Sequence, residues 1–115
     1  METDISKYIG NTFQHKDTSK IVYVFLLERD PREEKGAYKY HMYYYDGLLR
    51  SQFISDTKLK GLKKTQLDSR DEAIRHIIIS VFEPHPDRNV AISENIVLRK
   101  LMYGLHELKN GYKNI

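Results

Sequence analysis

Cysteine is absent from all 115 residues. That removes disulfides, thiol nucleophiles and Cys-ligated zinc from consideration. Small secreted domains usually need such cross-links, so the expected setting is reducing and cytoplasmic. Tryptophan is also absent, and there are only three prolines. The longest apolar run is the seven residues Ile21 to Leu27. A membrane-crossing helix needs about 20. The opening stretch, METDISKYIG, is acidic and has no apolar core, unlike a secretory leader. No glycine-rich phosphate loop occurs, and Ser51, Ser55 and Ser80 lack a Gly-x-Ser-x-Gly setting. His15, His41, His76, His85 and His106 never recur at metal-ligand spacing, so neither a metal nor a cofactor is expected. Asp56, followed by Lys58 and Lys60, lacks the second carboxylate that metal-assisted nuclease chemistry would require. The chain is therefore read as non-catalytic.

What remains is a chain with 40% hydrophobic and 30% charged residues and a net charge of +3. This is enough apolar material for a core in a single domain, residues 1–115, strand-rich over 8–64 and helical over 69–110. Charges of both signs are interspersed, which argues against a disordered tail. A slight basic excess permits a polyanionic partner without requiring one. The richness in Lys, Ile, Asn and Tyr points to an AT-rich genome, such as that of a phage or a low-GC bacterium.

Tyr8–Gln14 reads as a short strand and His15–Ser19 as a turn. Ile21–Leu27 is apolar on both alternating faces, with Ile21, Tyr23, Phe25 and Leu27 opposite Val22, Val24 and Leu26. Such a strand is expected to be central and covered on both sides. Glu28–Gly36 is a charged connection. Lys39–Ile54 reads as a hairpin around Asp46-Gly47, the dipeptide suited to a two-residue turn. That register sets Tyr45 against Leu48, Tyr43 against Arg50, His41 against Gln52 and Lys39 against Ile54, all on one outward face. Tyr40, Met42, Tyr44, Leu49, Ser51 and Phe53 would form the core side.

Lys58 and Lys60 alternate with Leu59, which suits a lysine-guarded edge strand. Ser69–Phe82 is expected to be a helix opened by a Ser69/Glu72 capping box. Its apolar stripe is Ala73, Ile74, Ile77, Ile78, Val81 and Phe82, with Arg70, Arg75, His76 and Ser80 turned away. After a Glu83–Ile92 loop, Ser93 would cap a second helix, with Glu94 against its dipole and Asn110-Gly111 at its end. Strands first and helices after define an α+β class: an antiparallel three- to four-stranded meander followed by two packed helices.

Two binding readings follow. The outward hairpin face could be a nucleic-acid platform, with Tyr43 and Tyr45 stacking on bases, Lys39 and Arg50 neutralising phosphates, and His41 and Gln52 meeting base edges. Lys58, Lys60, Lys63 and Lys64 would anchor further phosphates. An ordinary solvated face, or burial beneath the second helix, explains the same hairpin residues. A solvated edge likewise explains the lysines. Three strands followed by a helix from Ser69 resemble, in architecture, the arm-binding DNA modules of integrases, which implies a DNA partner. The alternative is a protein-interaction module, such as an inhibitor or adaptor, with a homodimer as one form. Val97, Leu98, Leu101, Met102, Leu105 and Leu108 form the second helix's apolar stripe, and Ile96 and Tyr103 lie beyond it. Ile96, Met102 and Tyr103 are the candidate interface, although a core helix between the sheet and the first helix explains the same apolar surplus.

Overall fold

The computed structural model describes residues 5–16, 18–29 and 40–113, and side chains up to Tyr103. The fold is α+β. A 3-10 turn at Ile5–Lys7 leads into β1 (Thr12–His15), β2 (Ile21–Arg29), β3 (Tyr40–Tyr45) and β4 (Leu49–Ile54). Then come α1 (Asp56–Lys60), β5 (Leu62–Lys64), α2 (Arg70–Phe82) and α3 (Arg88–Lys113). The expected meander runs through β1 to β4, and β5 returns to pair with β1, so the sheet order is β4-β3-β2-β1-β5. All its pairings are antiparallel. The edge strand carrying lysines is thus β5, with Lys63 and Lys64. Lys58 and Lys60 lie instead on α1, where Ser55 accepts the Lys58 N–H as helix cap.

β2 is central and covered on both faces, as its composition predicts. Val22, Val24 and Leu27 join Phe13, Tyr40, Met42, Tyr44, Ile54, Leu59 and Leu62 on one side. Tyr23, Phe25 and Leu26 join Tyr43, Tyr45, Leu49, Ala73, Val97 and Leu98 on the other, beneath α2 and α3. The expected strict alternation fails at one point. A bulge between Val24 and Leu26 leaves Phe25 without a partner on β3, so Leu26 and Leu27 exchange faces.

The hairpin register also differs by one residue. Tyr45 lies opposite Leu49, Tyr44 opposite Arg50, Tyr43 opposite Ser51, His41 opposite Phe53, and Tyr40 opposite Ile54. The chain reverses over Asp46, Gly47 and Leu48, with the Asp46 N–H donating to the Leu48 carbonyl at 3.1 Å. Only Gly47 has positive φ, at +107°, whereas the expected two-residue turn needs it at both central positions. A one-residue slip moves a whole strand's side chains to the opposite face. Arg50 and Gln52 therefore share a face with Tyr44 and Met42, not with Tyr43 and His41.

The helix starts are corrected too. Ser69 makes no side-chain cap to α2, and its hydroxyl is buried without a partner among the described residues. Asp68 takes the Arg70 N–H instead, and the Ser69 N–H donates to Thr12 Oγ1. Removing an unsatisfied buried hydroxyl carries no penalty. Ser69→Ala is thus expected to leave stability within about 0.5 kcal/mol of wild type, where a true cap would cost about 1. Chemical denaturation checks this. α3 begins at Arg88, capped by Asp87, whose carboxylate accepts the Asn89 N–H at 2.9 Å. Ser93 and Glu94 consequently lie inside the helix, and the backbone continues through Gly111 to Lys113.

Candidate partner-binding surfaces

The tyrosines expected to face water do not. Tyr43 and Tyr45 are each 6% exposed, packed beneath α2 and α3. The Tyr45 hydroxyl donates to Glu72 at 3.1 Å, which occupies the carboxylate expected to close the capping box. His41 is half-buried, its ring 4.4 Å from that of Tyr43 and 4.3 Å from that of Phe53. The Tyr43 hydroxyl lies 3.1 Å from His41 Nδ1. Arg50 is exposed and its Nε donates to Asp46 at 2.7 Å. Gln52 is half-buried on the opposite face of the sheet from Tyr43. Lys39 lies outside the described residues.

Lys63 and Lys64 are exposed on β5, at the far edge of the sheet from Arg50 on β4. Four strand spacings separate them, roughly 19 Å. Lys58 and Lys60 are exposed on α1, and Lys60 forms an ion pair with Asp56 at 3.0 Å. Lys63 and Lys64 thus lie at the opposite sheet edge from Arg50, and Lys58 and Lys60 lie on α1. In the three strands expected to form a DNA module, β2 and β3 are covered on both faces, while Arg50, Ser51 and Phe53 of β4 are exposed. Among the described residues, no group of three or more His, Asp or Glu could hold a metal. None of the described helices is long and apolar enough to cross a membrane.

A polar cluster that sequence reasoning missed joins α2, α3 and β4. Glu94, 4% exposed, accepts from the Leu49 N–H at 3.1 Å, lies 2.7 Å from His76 Nε2, and accepts from the Ser80 hydroxyl at 3.1 Å. Burial pushes its carboxyl pKa up. The hydrogen bonds from His76, Leu49 and Ser80, with the His76 charge, outweigh that and hold it below the ordinary value. The carboxylate is the central member, bridging serine and imidazole. A hydrolytic triad needs the imidazole in that place to accept the serine's proton. The cluster therefore acts as a tie between elements.

That tie sets how α2 is rolled. His76 and Ser80 face inward beside Ala73 and Ile77. Ile74, Ile78, Val81 and Phe82, at helical spacing on one side, are 40%, 52%, 54% and 79% exposed. Four of the six residues of the expected apolar stripe therefore face water, and two of the residues expected outside are inside. On α3, Ile92 and the three interface candidates Ile96, Met102 and Tyr103 are all at least half exposed. Comparison with family models, with curated proteins and with solved structures finds no match to this chain.

Proposed function

We propose that the protein is a non-catalytic protein-interaction module that docks through the outer faces of α2 and α3, and that its first partner is a second copy of itself. The observation that carries this reading is the roll of α2: a polar edge is spent on Glu94 while Ile74, Ile78, Val81 and Phe82 stand in solvent. Monomeric proteins rarely expose apolar patches beyond a few hundred Å². Nine large apolar side chains on the two helices are between 40% and 79% exposed. Residue areas of roughly 150–250 Å² put their combined exposed surface on the order of 1,000 Å². A stable interface buries about 800 Å² per partner. A second copy fits because an α2 ridge is self-complementary across a two-fold axis. Antiparallel pairing about Ile78 brings Ile74 of one helix against Phe82 of the other.

The nucleic-acid reading is less well supported, because its stacking rings lie beneath helices and its described cations are divided among β4, α1 and β5. Sedimentation of the full chain tests the proposal. The expected result is a dimer that dissociates on dilution, with Ile78→Glu folded by circular dichroism yet monomeric throughout. A wild-type chain that remains monomeric at millimolar concentration, or a dimer that survives Ile78→Glu, overturns it.

A further inference from the structure

The two edges of the sheet are built differently. β5 is three residues long and carries exposed Lys63 and Lys64, the usual device against strand addition. β4 is six residues long and has neither lysine nor proline. Successive residues of an antiparallel strand turn their N–H and C=O alternately toward its two sides. The Leu49 N–H leaves the sheet to meet Glu94, so Leu49 and Ser51 point their backbone groups away from β3. β4 is a terminal strand, so no further strand among the described residues meets Ser51 on that side.

That edge borders a groove of about 520 Å³ between β4 and α3. Leu48, Ser51 and Gln52 line one wall, and Asn89, Ser93 and Ile96 the other. Among the described residues of its lining, Arg50 is the one charged residue and none is a carboxylate. Its Nε is held by Asp46, whose side chain is only 8% exposed, while the arginine side chain is 47% exposed. A guanidinium has five N–H donors, so its remaining face can receive an anion.

We infer that this groove binds an extended peptide segment by strand addition to β4, with an acidic side chain of the peptide against Arg50. The main-chain hydrogen bonds would come from Ser51. The mixed walls would accept alternate small apolar and polar side chains, and the arginine would select the carboxylate. This surface shares Ile96 with the outer face of α3 and no residue with α2, so Ile78→Glu and Ser51→Pro separate the two proposals.

The test is selection of a displayed random decapeptide library on the full chain, followed by synthesis of the enriched peptides. Enriched sequences are expected to carry Asp or Glu at one fixed position. Arg50→Gln should weaken their binding about tenfold, the loss of one charge-assisted hydrogen bond. Ser51→Pro removes an N–H that faces away from β3, a position where an edge strand accommodates proline. It should abolish binding. If that variant does not fold, peptides N-methylated at alternate positions supply the same test on the wild-type chain, and one methylation phase should abolish binding.

Any of four results overturns the inference. One is the absence of any enriched acidic sequence. The second is binding indifferent both to Ser51→Pro and to N-methylation. The third is binding lost with Ile78→Glu and not with Ser51→Pro, which would place the peptide on the helical ridge. A dimer abolished by Ser51→Pro would likewise overturn it, since the groove's occupant would then be the second copy's β4.

Discussion

Glu94→Ala is expected to lower unfolding free energy by about 3 kcal/mol, about 1 for each of the three hydrogen bonds made by its buried carboxylate. The loss has three parts. The Leu49 N–H loses its acceptor, the Ser80 hydroxyl loses its own, and His76 loses the carboxylate it meets at 2.7 Å. Leaving a buried donor unpaired costs more than the bond was worth, because nothing replaces the water it gave up on folding. Urea denaturation reads the effect as a lower midpoint with little change in slope. The acid limb carries the same signature. Glu94 has a folded pKa below its ordinary value of 4.5. Its stabilisation is therefore fully present above pH 4.5, and is lost as pH falls through the lower folded value. The wild type should lose stability across that window and Glu94→Ala should lose less. An unchanged midpoint, or identical acid limbs, would mean that the cluster does not tie the helices to β4.

Tyr45→Ala is expected to cost about 3–5 kcal/mol, as for other large aromatic deletions in a core. Tyr45→Phe should cost only about 1 kcal/mol, because it removes one hydrogen bond to Glu72, an exposed residue that water can resolvate. The phenol itself gives a second readout. Burial, then the hydrogen bond and charge of Glu72, push its pKa from 10.0 up to about 12. The neutral ring's contribution is complete below pH 10 and is lost as pH rises toward 12. Burial also raises Tyr8, Tyr23, Tyr43 and Tyr44, so spectrophotometric titration should show one fewer late-ionising tyrosine in Tyr45→Phe than in the wild type. A solvent-facing Tyr45 would titrate near 10, and its truncation would be nearly neutral.

The sequence pattern carried the coarse architecture because periodicity reports burial. Ile21–Leu27 is apolar on both faces, and the strand it forms is covered on both faces. The helix over residues 70–82 was legible from three- and four-residue spacing. Side-chain direction was less so. A three-residue reversal and a two-residue turn differ by one position around the same Asp-Gly pair, and that position decides which face Arg50 shares with the tyrosines. The bulge at Phe25 has no signature in an all-apolar run. The roll of α2 was illegible for a different reason. Its direction is set by a carboxylate 18 residues away in sequence, Glu94 against His76, and by Ser80, which reads as surface polarity on a helical projection. The apolar stripe was identified correctly as a stripe, while its destination depends on what Glu94 binds. Ile96 and Tyr103 fall outside the periodicity of α3 and are exposed, whereas Met102 falls on the expected apolar stripe and is exposed as well.

The roll of α2 decides which surface the helix presents, and the chain's lack of cysteine allows a direct measurement of it. Single-cysteine variants Ile78→Cys and Ser80→Cys would be labelled with a maleimide in solution too dilute for self-association. Thiol reactivity follows exposure and thiolate fraction. The expected result is rapid labelling at position 78 and markedly slower labelling at position 80, where the thiol would face the Glu94 carboxylate. Fast labelling at 80 with protection at 78 would contradict the account, because α2 would then present its polar edge to water and its isoleucines to the sheet.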